Sequence, residues 1–159
     1  MNMRILVLLP CNPGAKYGNY FLGRYWKNAD KYRRTYDLDI MLGAIDCIPV
    51  IAKGEDAIVL EDEMNRVRGF DIYPEYKKEK VGKIAEGIRR GLLRIHAKFD
   101  KIIILLNVKL YIEATKKALG FLPEDVKQKI EFYYVLGKPG KFLRLIRDVF
   151  LRLAKLKKS

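Results

Sequence analysis

Unbroken apolar runs alternate along this chain with stretches whose apolar residues recur every three to four positions. The runs within residues 4–9 and 101–106 have the length and continuity of strands buried on both faces of a parallel sheet. Residues 131–136 read as a third central strand of the same kind, and 39–44 and 48–52 as shorter strands. Between them the period becomes helical. Leu22, Tyr25, Trp26, Ala29 and Tyr32 form one stripe over 20–34, and Val81, Ile84, Ala85, Ile88, Leu92 and Ile95 form another over 74–98. Residues 109–119 read as a helix ended by Gly120, and Pro123 begins a short turn or helix. The last helix presents Phe142, Leu143, Ile146, Val149, Phe150 and Leu153. Residues 53–70 mix their signals and concentrate acids at Glu55, Asp56, Glu61, Asp62 and Glu63, which reads as an irregular excursion or short helix. Strands alternating with helices predict an α/β fold: a three-layer sandwich, one domain over 1–159, with a mostly parallel central sheet flanked by helices.

Charge adds a partner to this picture. Thirty-two basic residues against nineteen acidic ones leave a net charge of +13 and a pI near 9.7. Such an excess favours a polyanion, because neutralising phosphates releases counterions; the plainer alternative is a solvated, soluble surface. No apolar run approaches the ~18 residues of a membrane span, and no cleavable signal pattern precedes the first strand, so neither a membrane partner nor export is expected. Two cysteines, Cys11 and Cys47, do not make a disulfide framework and fit a reducing cytoplasm. One Gln and six Asn beside abundant Lys, Glu, Arg and Ile fit a thermophile.

Scarcity excludes several chemistries. The only Ser is Ser159 and the only His is His96, so a Ser-His-Asp triad, a four-ligand Cys/His zinc site and a two-histidine zincin helix cannot be assembled. Neither common glycine-rich nucleotide fingerprint is present, and no cofactor or metal is implied. Thiol chemistry, carboxylate chemistry with or without magnesium, and plain binding survive.

The richest candidate lies just past the first strand, where Pro10, Pro13 and Gly14 interrupt the apolar run. Ligands of open α/β sheets bind beyond the carboxyl ends of the strands, and this loop holds Cys11, Asn12, Lys16 and Tyr17. Asn107 and Lys138 follow two other strands and are placed to converge on it; Asp71 precedes a helix as a further candidate or as its cap. If the site is catalytic, Cys11, Lys16 or Asp71 carries the chemistry; if not, Cys11 is a small buried hydrophobe or ligand wall. A Cys11–His96 dyad requires the long helix to return its far end to the first loop. Residues 16–36 interleave six basic residues with seven aromatics and one acid, Asp30, the mixture that holds single-stranded RNA. Tyr20, Arg24, Lys27, Arg33 and Arg34 are the binding candidates there, whereas Trp26 reads as core. Lys141, Arg144, Arg147, Arg152 and Lys155 make the last helix one-signed but for Asp148. The long helix carries basic residues of its own, which read as a solvated face.

These segments together resemble the core domain of archaeosine synthase, an archaeal tRNA-modifying family related to tRNA-guanine transglycosylases. Leu8-Leu9-Pro10-Cys11 and Tyr17 match the family's strand-end motif, and Phe70-Asp71-Ile72-Tyr73-Pro74 resembles a later segment. Residues 102–106 followed by Tyr111 fit its second half, so the resemblance spans about residues 4–120. Ala15, Lys16, Tyr20 and Gly23 stand where the family has lysine, proline, serine and histidine. The resemblance implies a stand-alone relative of that core domain, with an α/β sandwich and RNA, in particular tRNA, as partner. It also implies a tRNA-modification enzyme as a possible protein partner. Family members attach lysine to a cyano-deazaguanine base in tRNA; here Ala15, Tyr20 and Gly23 do not supply the family's ammonium, serine hydroxyl and imidazole, and only a loop shifted by one residue lets Lys16 replace the lysine. The remaining alternatives are an enzyme acting on a nucleobase or nucleotide at the Cys11–Lys16 loop, and a protein-interaction module.

Overall fold

The computed structural model describes residues 3–10, 24–45, 50–52, 78–137 and 139–158. Five strands form one sheet: β1 (Ile5–Pro10), β2 (Ile40–Ile45), β3 (Val50–Ala52), β4 (Lys101–Leu106) and β5 (Ile130–Tyr134), in the order β3-β2-β1-β4-β5. Four of them are parallel, and β3 runs antiparallel along β2 at one edge. The helices are α1 (Arg24–Thr35), α2 (Lys78–Ile95), α3 (Lys109–Gly120), α4 (Glu124–Lys127) and α5 (Pro139–Lys158), with a 3-10 turn at His96–Lys98. This is the expected α/β architecture, a parallel sheet flanked by helices.

Two apolar clusters, one on each face of the sheet, make the layers. Val7, Leu9, Ile103 and Leu105 meet Ala29 of α1 and Phe142, Ile146, Val149, Phe150 and Leu153 of α5. Leu6, Leu8, Ile102, Ile104 and Leu106 meet the apolar stripes of α2 and α3. The alternation of side chains along β1 and β4 divides one continuous apolar run between both clusters, which is why these strands lack a polar face. Backing α1 and α3 onto opposite faces follows from chain direction: β1 steps one way to β2, and β4 steps the other way to β5.

α1 ends in a Schellman motif. The Leu38 N–H donates to the Arg33 carbonyl at 2.9 Å and the Asp37 N–H to the Arg34 carbonyl at 3.2 Å, with Asp37 left-handed at φ 50°. The Lys157 ammonium donates to the Asp37 carbonyl, so the end of α5 is tied to the end of α1. Gly137, at φ 99°, turns the chain from β5 into α5, a conformation that disfavours any Cβ.

The strand read as central over 131–136 is instead the edge strand β5, and it ends at Tyr134. Its residues are half-buried or exposed, unlike those of β1 and β4. On its α5 face, Glu131 Oε2 lies 2.6 Å from Lys101 Nζ, and the Tyr133 hydroxyl donates to Oε1 at 2.5 Å. Arg152 of α5 sits 5.1 Å from the centre of the Tyr133 ring. Lys101, then Tyr133, hold the Glu131 carboxyl below its ordinary 4.5, and Glu131 holds the Tyr133 phenol above its ordinary 10.0. A lowered carboxylate stabilises above its unfolded value and loses that increment as pH falls through the folded one. A raised phenol stabilises below its unfolded value and loses the increment as pH rises through the folded one. Glu131→Gln is therefore expected to flatten both the acid and the alkaline limbs of stability, read as melting temperature from roughly pH 3 to pH 11. A variant curve parallel to the wild-type one overturns this.

Candidate nucleic-acid interface

The sheet order places its switch point between β1 and β4. The chain leaves β1 towards one face and β4 towards the other, opening a crevice at the carboxyl ends of the two strands. Leu8 pairs with Ile104, and both strands end two residues later, at Pro10 and Leu106. The residue after β4 is Asn107, whose amide donates to the Tyr25 hydroxyl at 3.0 Å. Tyr25, in the first turn of α1, meets Phe142, in the first turn of α5, edge-on at a centroid distance of 4.8 Å. Asn107 thereby joins the end of β4 to the starts of two helices. Tyr25 satisfies one polar atom of this amide; the other, Oδ1, is shielded from solvent and has no hydrogen-bond partner among the described residues.

Cys11, Asn12, Lys16, Tyr17, Tyr20, Asp71 and Lys138 lie outside the described residues, and so does the 53–70 excursion. Of the proposed ligand-binding set the structure thus positions Asn107, at the crevice. Of the Cys11–His96 pair the structure describes His96 alone. His96 follows α2 and precedes β4 at the amino edge of the sheet, whereas β1 ends at Pro10 on the carboxyl edge, about 20 Å away across a six-residue strand. His96 instead faces Lys129, whose ammonium lies 3.3 Å from both Nδ1 and the carbonyl of His96.

The two segments selected for nucleic-acid contact come together. α1 and α5 lie side by side on one face of the sheet and both begin at its carboxyl edge. α1 carries five basic residues and one acid, α5 seven and one. Arg24, Lys27, Lys31 and Arg34 follow helical spacing along the exposed side of α1, and Lys141, Arg144, Arg147 and Lys155 along that of α5. At 1.5 Å per residue, the α5 stripe is about 21 Å long. Among the described residues, Lys27, Lys31, Lys141, Arg144 and Lys155 have no carboxylate within ion-pair distance; the pairs on this face involve other cations.

Arg33 and Arg34 are both drawn to Asp30. Arg33 donates to it through Nε and Nη2 at 3.1 and 2.7 Å, and Arg34 Nε is 3.2 Å away. Arg33 is half-buried and serves the helix; Arg34 is exposed and remains presentable to a phosphate. Tyr25, Trp26, Tyr32 and Tyr36 pack against the core, so these four rings support α1 rather than offer stacking platforms. Within 24–36 the mixture of bases and aromatics therefore places exposed cations outside and half-buried rings inside; Tyr17, Tyr20 and Phe21 lie outside the described residues.

The helix starts share a further pattern. α1, α3 and α5 all start at the carboxyl edge, and none has an acid in its first turn. Arg24 and Lys27, Lys109, and Lys141 stand near those starts instead. Cations at helix N-termini oppose the macrodipole and cost a few tenths of a kcal/mol each. Three such costs at one edge concentrate positive potential there. The absence of Asp and Glu after each helix start was the available signal.

Among the described residues no group of three or more His, Cys, Asp or Glu is arranged to hold a metal ion, and no helix is long and apolar enough to cross a membrane. No protein-family model matches the chain, and no curated protein does either.

Proposed function

We propose that this chain binds RNA, with tRNA the foremost candidate, through the joined faces of α1 and α5, as a relative of the archaeosine synthase core domain that assists a tRNA-modification enzyme. The observation that carries the reading is the adjacency of two one-signed helices. Twelve cations and two acids stand on the pair, and several of the exposed cations have no carboxylate partner among the described residues. Surface cations not spent on intramolecular pairs keep their charge for a polyanion, and parallel stripes on adjacent helices match a backbone better than scattered charges do. The carboxyl edge with Asn107 adjoins the start of both helices, so a nucleotide strand lying on them runs towards the ends of β1 and β4, where open α/β sheets bind ligands.

Binding of unmodified tRNA by the full chain tests this. If six of the exposed cations meet phosphates, log affinity should fall against log salt with a slope of about −4 on single-stranded RNA and about −5 on duplex. A slope near zero, or no binding at low salt, overturns the proposal.

A further inference from the structure

We propose that the open edge of β5 receives a second copy of this chain, its β5 adding antiparallel about a two-fold axis at Phe132 to make one continuous sheet. This rests on the strand edge and not on RNA binding.

β5 ends the strand order, and β4 is its neighbour on one side. The Ile102 N–H donates to the Lys129 carbonyl and the Val135 N–H to the Leu106 carbonyl. The odd-numbered residues therefore turn their backbone groups to β4, and by alternation Ile130, Phe132 and Tyr134 turn theirs outward. Among the described residues no strand pairs with that outer side. Edges left open in monomeric proteins are usually defended by Lys, Pro, a bulge or a covering element. β5 has no Lys and no Pro, and its register with β4 is continuous over five residues. Tyr134 is 42% exposed and Leu136, just beyond it, 57%.

The pattern of the strand is complementary to itself. An antiparallel pair centred on Phe132 uses all the outward groups of both copies, setting Ile130 beside the partner's Tyr134 and Phe132 beside the partner's Phe132. On the opposite face Glu131, the one charge in β5, meets the partner's Tyr133, a hydroxyl of the kind it already accepts from. Sliding the pair by two residues towards the amino end would oppose Glu131 with its own copy, and a slip of one would exchange the faces. The two-fold axis stands perpendicular to the sheet, so the two α5 helices lie on the same side with like charge. Salt should therefore strengthen the dimer while it weakens any RNA complex.

Sedimentation and light scattering of the full chain over a concentration series at moderate salt should show conversion from 18.5 kDa to twice that mass. The amides of Phe132 and Tyr134 should gain hydrogen-exchange protection over the same range. Tyr134→Lys puts a cation at both ends of the joint ladder, and the dissociation constant should rise about tenfold or more. A chain monomeric at every concentration overturns the proposal, as does a dimer that persists undiminished in folded Tyr134→Lys. If that variant does not fold, amides of Phe132 and Tyr134 exchanging as fast in the wild-type dimer as in the monomer overturn it equally.

Discussion

Reversing Lys27, Arg144 and Lys155 together to Glu is expected to weaken RNA binding about 100-fold near 0.1 M salt and to leave the fold intact. All three side chains are exposed, and none has a carboxylate partner among the described residues, so their loss breaks no ion pair there. A phosphate contact in water is worth about 1 kcal/mol of Coulomb energy at 4 Å, and reversal converts each attraction to a repulsion of similar size. Three reversals then amount to about 6 kcal/mol at contact, and screening over a Debye length of about 10 Å leaves roughly half, which is the 100-fold. The slope of log affinity against log salt should shrink by about 2 to 3, one counterion term per lost contact. Reversing Lys80, Lys83 and Arg94 of α2 supplies the comparison, because that helix covers the other face of the sheet. If the α2 reversals weaken binding as much, the charge acts as a diffuse field and the α1–α5 face has no special claim.

The elements that position this face were legible because their signals are local. The run in β4 can only be a strand buried on both sides, and the i, i+3, i+4 stripes of α2 and α5 leave little choice of facing. Tyr25 and Tyr32 share a stripe with Ala29, and the structure turns that stripe to the core, with Ala29 buried and both rings half-buried against it. The adjacency of α1 and α5 was not legible, since strand order is decided by pairings between residues far apart in sequence. The edge position of β5 is hard to read for a definite reason: Phe132, Tyr133 and Tyr134 carry the apolar signal of a core strand, and Glu131 in mid-strand is a single local sign of a half-exposed edge. Asn107 was legible as a strand-end residue, but its hydrogen bond to Tyr25 spans 82 positions and leaves no mark in the local pattern. The Cys11 loop, the most suggestive stretch of the sequence, lies outside the described residues, so the candidate site is known from its β4, α1 and α5 sides.

Phe142→Ala should be among the most damaging single substitutions on that side of the sheet, lowering stability by about 3–5 kcal/mol. The ring is fully buried in the cluster between sheet, α1 and α5, so its removal forfeits burial and leaves a cavity that the rigid strands beneath cannot close. Its edge-on contact with Tyr25 adds about 0.5–1.5 kcal/mol beyond area. Phe150→Ala is the informative control, being equally buried in the same cluster but about two turns further along α5, where its ring neighbour is Tyr32 at 6.1 Å. Both variants should lose comparable stability in denaturant titrations. Only Phe142→Ala removes the support of the Tyr25 ring and hence of its hydrogen bond to Asn107. In conditions where both variants remain folded, Phe142→Ala should therefore disturb the Asn107 side-chain amide resonances and weaken RNA binding, while Phe150→Ala should spare both. Equal effects of the two on the Asn107 resonances would mean that the carboxyl edge responds only to global stability, and that the Asn107–Tyr25–Phe142 chain does not hold the starts of α1 and α5 in place.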